Sequence, residues 1–157
     1  MKQIVNVYEK GQRGLKALNT LGAYLHKSQV DQSLLNLIYY RVSQLNGCAF
    51  CLDMHSKDLL AGGENAQRLL VLNAWRETPF FSERERAALA WAEALTQINS
   101  GHVADDIYNE ALQQFTEEEL IDLTFAVIAI NSYNRVNIAF PNPAVVGSYT
   151  PGMFEKA

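Results

Sequence analysis

Asn46-Gly47-Cys48-Ala49-Phe50-Cys51-Leu52-Asp53-Met54-His55 contains both cysteines of this chain and one of its three histidines. Leu34, Ile38, Val42 and Leu45 precede it at helical spacing, behind Asp31 as a candidate N-cap. Gly47 interrupts that run directly before Cys48. A new helix is expected from about Cys48 to Ala61, ended by Gly62-Gly63, whose missing side chains suit a left-handed C-cap. At about 100° per residue, positions 48, 51 and 55 of such a helix fall within about 60° of one another. Two thiols and an imidazole then share one stripe, with His55 one turn beyond Cys51. No alternating strand pattern flanks the pair, so this CxxC belongs to a helical protein and not to a thioredoxin-like βαβ unit.

The rest of the chain supports that setting. Leu15, Leu18, Leu21 and Leu25 recur at helical spacing, and a further helix is expected over Asn65 to Trp75, stopped by Thr78-Pro79. Ser82-Glu83-Arg84-Glu85 and Thr116-Glu117-Glu118-Glu119 both match the capping box, in which a hydroxyl and a carboxylate three residues later satisfy free amide hydrogens. The first leads into Ala87 to Ile98. The second leads into Leu120 to about Asn137, apolar nearly all round from Phe125 to Ile130, the pattern of a helix buried on most sides within a domain or between subunits. A shorter helix is expected near Asp105 to Phe115. Pro141, Pro143, Gly147, Pro151 and Gly152 make the tail irregular, with Val145, Val146, Tyr149 and Phe154 available to pack it down. The expectation is one all-α domain over residues 1–157, its core at about 34–137.

A chain of 157 residues with 48% apolar and 19% charged residues is ordinary for a globular domain. Its net charge of −4 comes with scattered lysines and arginines, which excludes a nucleic-acid-binding face. No apolar run approaches the roughly 18 residues of a membrane span. The N-terminus has no signal-peptide pattern, so a cytoplasmic protein is expected, and a lone CxxC there is redox-active or metal-binding more often than a structural staple.

The pair has a definite chemistry. Free amide hydrogens and the helix dipole at a first turn stabilise a thiolate, and a neighbouring imidazolium lowers a thiol pKa further. A thiolate attacks a peroxide O–O bond or a disulfide. Peroxide gives a sulfenic acid that the second thiol resolves to a disulfide, and a dithiol reductant restores the pair. No metal or organic cofactor is required.

CxxC followed by three residues and His55, on an all-helical background, resembles the AhpD-like alkylhydroperoxidase family of the carboxymuconolactone decarboxylase superfamily. The resemblance runs from about Leu34 to Thr96, through Leu37-Ile38-Tyr39-Tyr40-Arg41-Val42-Ser43-Gln44-Leu45-Asn46-Gly47-Cys48, Arg68-Leu69, Ala74-Trp75-Arg76-Glu77 and Glu83-Arg84-Glu85-Arg86-Ala87-Ala88-Leu89-Ala90-Trp91; Asn134-Arg135 also fits. It implies an all-helical subunit assembling into trimers or hexamers. It further implies reduction of organic hydroperoxide, hydrogen peroxide or a disulfide, with a lipoyl- or thioredoxin-like dithiol protein as reductant. Cys51 would be the attacking thiol, Cys48 the resolving and more exposed one, and His55 part of a proton relay. One departure matters: AhpD carries a relay glutamate twelve residues before its first cysteine, where this chain has Asn36. It also has Ala49 and Phe50 between the cysteines, where AhpD has a histidine. Glu85 and Glu93 are the candidate replacements for the relay glutamate, Glu85 preferred.

Blander readings stand beside these. The cysteines are alternatively two small buried hydrophobes or, with His55, three ligands of a zinc site. Glu85 is equally a capping residue, and Glu93 a solvated residue or subunit contact. His26 and His102 read as surface residues, Tyr39, Tyr40, Trp75 and Trp91 as packing, and Asn134 and Arg135 as braces of a helix end or interface. The leading function is a two-cysteine peroxide reductase. The alternatives are a disulfide reductase and a non-catalytic redox-sensing oligomer.

Overall fold

A computed structural model describes residues 5–99, 101–142 and 145–153. Among these it contains eight α-helices and no strand. They are α1 (Val7–Lys10), α2 (Gln12–Leu25), α3 (Gln32–Asn46), α4 (Ala49–Ala61), α5 (Ala66–Val71), α6 (Glu83–Thr96), α7 (Asp105–Gln114) and α8 (Glu117–Ala139), with a 3₁₀ segment over Leu72–Glu77 after α5.

The starts follow local chemistry. Asp31 caps α3 by accepting from the Ser33 and Leu34 amides, and Asn65 caps α5 through the Gln67 amide. Both capping boxes form. Ser82 Oγ accepts from Glu85 N while Glu85 accepts from Ser82 N, and Thr116 and Glu119 repeat the exchange at α8. The expected helix over Asn65–Trp75 is instead an α-helix that tightens to 3₁₀ at Leu72, with Ala74 off helical geometry. Of the two glycines after α4, Gly62 stays helical at φ −75° and Gly63 takes the positive φ of 91°.

Helix α3 is the hub, packed against α4, α6 and α8. Leu35, Ile38 and Val42 of α3 meet Leu89 and Ala92 of α6 and Leu123, Ala126, Val127 and Ile130 of α8 in one core, which also takes in Cys48, Cys51 and Leu59. Ser43 sits in the same interior and receives a hydrogen bond from Asn134 Nδ2 at 3.0 Å, while Asn46 Nδ2 donates to Asn131 and Asn134 at 3.0 and 2.9 Å. Asn134, fully buried, therefore braces α8 to the end of α3. Arg135 bonds within its own helix, to Asn131. The uniform hydrophobicity of α8 resolves into two faces. Ala126, Val127, Ala129 and Ile130 are buried, whereas Ile121, Phe125 and Ile128 form a surface stripe.

Two peripheral segments close over this frame. The N-terminal arm, α1 and α2, is laced to α8 by Tyr8–Asn137, Asn19–Tyr133 and Tyr24–Asp122 hydrogen bonds. The tail lies on α4: Lys57 Nζ donates to the Gly147 and Tyr149 carbonyls, Asp53 accepts from Gly147 N, and the Tyr149 hydroxyl donates to Asp58 at 2.7 Å. Tyr149 is buried as anticipated, Val146 is exposed, and Pro143 and Phe154 lie outside the described residues. No helix among the described residues is long and apolar enough to cross a membrane.

Candidate active site

Gly47, at φ 69°, is the left-handed residue that turns the chain from α3 into α4. Gly47 N donates to Gln44 O and Cys48 N to Ser43 O at 3.1 Å, the two bonds of a Schellman motif. Cys48 thus leaves α3 in an extended conformation and becomes the N-cap of α4, with Cys51 at its third helical position. The two are joined as a disulfide with Cα atoms 5.4 Å apart. Both sulfur-bearing residues are enclosed, Cys48 1% and Cys51 2% exposed, so neither is the more accessible one. Cys48 makes no side-chain cap bond.

The cysteines differ in their neighbours. Cys51 Sγ accepts from Asn137 Nδ2 of α8 at 3.8 Å, and His55 follows one turn later on the same helix. His55 is buried, with its ring tilted against Tyr39 of α3 at a centroid distance of 5.2 Å, and its Nδ1 has no hydrogen-bond partner. Burial pushes the imidazole pKa down to about 3. The ring is therefore neutral at physiological pH. The imidazolium that sequence reasoning placed beside the thiols is replaced by an uncharged base, because Tyr39 and the α3–α4 packing exclude the water a cation needs. The phenol of Tyr39 is itself pushed up, by burial first and then by neighbouring Tyr133.

A stability consequence follows from that ring. Its folded pKa lies below its unfolded value of 6.5, so as pH falls the unfolded chain takes up the proton first. Stability is unaffected above the unfolded value and declines between it and the folded one. Urea titrations are expected to show a loss of about 2 kcal/mol between pH 7 and pH 5, and His55→Leu should remove most of that slope. An equal slope in both proteins would refute a buried neutral imidazole.

The two candidate carboxylates stand elsewhere. Glu85 accepts from the Ser82 amide at 2.7 Å and pairs with Arg68 at 2.5 Å. Glu93 is buried and accepts from Arg41 Nε at 2.7 Å, Trp75 Nε1 at 2.8 Å and Arg76 at 2.6 Å, so it is not the solvated residue of the blander reading. Trp75 and Trp91 are buried, the latter donating to Thr124. No hydrogen bond among the described residues links Glu85 or Glu93 to Cys48, Cys51 or His55. Asn36 lines a recess between α3 and α4 together with Asp58, His26 and Pro151 of the tail. Among the described residues no group of three or more His, Cys, Asp and Glu side chains is arranged to hold a metal ion. Sequence reasoning missed Asn137. Its signal was the spacing Asn131, Asn134, Asn137, an asparagine at every third residue of the C-terminal part of α8.

A helical domain with an enclosed CxxC at a helix start and a histidine one turn on defines a thiol-bearing, AhpD-like class of protein. The chain belongs to the carboxymuconolactone decarboxylase family, whose model matches residues 12–94. It is 41% identical over 144 residues to the uncharacterised Bacillus subtilis protein YdfG, covering 92% of this chain and 98% of that one. An Agrobacterium tumefaciens protein of unknown function, described as a candidate antioxidant defence protein AhpD, superposes with a TM-score of 0.84 at 34% identity, over 96% of this chain and 99% of that one. The debrominase Bmp8, as a cysteine-to-alanine variant in complex with 2,3,4-tribromopyrrole, shares the fold at a TM-score of 0.74 and 22% identity, over 85% and 71% of the two chains.

Proposed function

We propose that the protein is a thiol-dependent peroxide reductase that cycles Cys48 and Cys51 between dithiol and disulfide. The observation that carries this reading is the placement of both sulfurs at the start of α4, close enough to be joined, with a neutral imidazole one turn away. Neutral His55 relays the Cys51 proton: as the sulfur attacks the terminal peroxide oxygen and the O–O bond breaks, the imidazole passes that proton to the departing oxygen, which leaves as alcohol, so no imidazolium accumulates. The sulfenic acid on Cys51 is attacked by the Cys48 thiol, forming the disulfide and releasing water. An external dithiol then takes up the oxidation by exchange and returns both thiols. Enclosure of both sulfurs favours a small peroxide over a bulky protein disulfide as oxidant. The apolar stripe Ile121, Phe125 and Ile128 supports assembly into the homo-oligomer, a trimer or hexamer, that the family resemblance implies.

The test is consumption of an organic hydroperoxide by the reduced protein with and without a lipoyl dithiol. Turnover that requires the dithiol, and that survives in Glu85→Gln because Glu85 is held by Ser82 and Arg68, is the expected result. Turnover of a model disulfide with no peroxide loss would replace this reading by the disulfide reductase. Inertness to both would leave a redox-sensing role.

A further inference from the structure

We propose that Asn137 is a catalytic residue that stabilises the Cys51 thiolate through its carboxamide N–H, and that Tyr8 is the positioning residue that holds the amide in that orientation. The inference deepens the reading above by assigning what makes Cys51, and not Cys48, the attacking sulfur.

Asn137 has two amide hydrogens and one carbonyl oxygen to place. The Tyr133 carbonyl, 2.9 Å from Nδ2, has no proton to give, so it must face the NH₂ side. On the opposite side the Tyr8 hydroxyl lies 2.5 Å from Oδ1 and donates to it. With both ends fixed, the second amide hydrogen is the one directed at Cys51 Sγ, 3.8 Å away. A flipped amide would set carbonyl against carbonyl and leave the sulfur facing an oxygen. In the disulfide this is a weak contact. Once the sulfur carries a charge, the same N–H becomes a charge-assisted donor, which is shorter and roughly twice as strong as a neutral one.

The site needs such a donor. His55 is neutral and contributes no positive charge, and Glu85 and Glu93 are committed to other partners. The helix start favours a thiolate at both cysteines and, with Cys48 at the N-cap, does not by itself single out Cys51. Of the two sulfurs, that of Cys51 is the one Asn137 hydrogen-bonds among the described residues. Tyr8 and Asn137 also lie on either side of residues 12–94, outside the matched family segment, and reach the site because the N-terminal arm is laced to the end of α8.

The decisive measurement is the pH dependence of iodoacetamide alkylation of the full-length reduced protein in a Cys48→Ser background, where only Cys51 reacts. Asn137→Leu is expected to raise the titration midpoint by about one pH unit, a tenfold smaller thiolate fraction at fixed pH. Asn137→Asp, nearly isosteric, should raise it further by placing a carboxylate beside the sulfur, and decides the matter if the leucine variant does not fold. Tyr8→Phe should raise it in the same direction by less. An unchanged midpoint in a folded Asn137 variant overturns the assignment, and an unchanged midpoint in Tyr8→Phe removes the tyrosine from it. The assay contains neither peroxide nor disulfide, so failure of the proposed turnover leaves this result standing, and the converse holds as well.

Discussion

Cys51→Ser is expected to abolish peroxide consumption by about 10³-fold or more, whereas Cys48→Ser should still consume one equivalent of peroxide per subunit and then stop. The asymmetry follows from the division of labour. Without Cys51 no sulfur stands beside both Asn137 and His55, so the O–O bond is never opened. Without Cys48 the first step proceeds, but the sulfenic acid has no neighbour to resolve it. Mass spectrometry of the Cys48→Ser protein after one equivalent of peroxide should find a single added oxygen on Cys51, and a dimedone adduct at that residue. Stoichiometric consumption by Cys51→Ser and none by Cys48→Ser would reverse the roles. Multiple turnovers in either single variant would refute the two-cysteine cycle.

The second large effect concerns stability. Glu93→Ala should destabilise the fold by about 3–5 kcal/mol, because it leaves the Arg41 guanidinium, only 7% exposed, without its carboxylate. For a chain of this length that corresponds to a melting temperature lower by on the order of 10 °C, readable by circular dichroism. The carboxylate joins three elements: Arg41 from α3, and Trp75 and Arg76 from the 3₁₀ segment, all meeting on α6. Desolvation opposes its charge, yet the hydrogen bonds from Trp75, Arg76 and Arg41 outweigh that and hold its pKa below the usual carboxylate value. A depressed carboxylate contributes stability that is present above its unfolded pKa and lost as pH falls through the folded one. Acid unfolding should therefore show a lower limb in the carboxylate range, beneath the one from His55. A Glu93→Ala protein that melts with the parent would show that Arg41 finds another partner.

Much of this was readable from local chemistry. The capping boxes at Ser82 and Thr116, the Asp31 cap and the glycine before Cys48 each act within a few residues, so sequence spacing reports them directly. Helix α1 escaped because four residues, Val7 to Lys10, are too few for a periodic pattern to show. The downward push on the His55 pKa was not legible because it comes from burial, which is completed by side chains such as Tyr39 arriving from another helix. The pairing of Glu85 with Arg68, seventeen residues earlier, joins two helices and has no local spacing rule to announce it. Asn137 is 86 positions from the sulfur it meets, and no local rule joins them.

The enclosure of both sulfurs has a kinetic meaning. In the proposed cycle a macromolecular reductant would meet two cysteines that are 1–2% exposed, so exchange would require the first turn of α4 to open locally from the end of α3. Regeneration by such a reductant is then expected to be gated: its rate should level off at the frequency with which that turn opens, however much reductant is present, and reductants of very different potency should converge on the same ceiling. Gly47, left-handed at φ 69°, is the joint between the two helices across which such an opening would occur. A bulkier or stiffer residue there would change the frequency of the gate without touching the sulfur chemistry behind it.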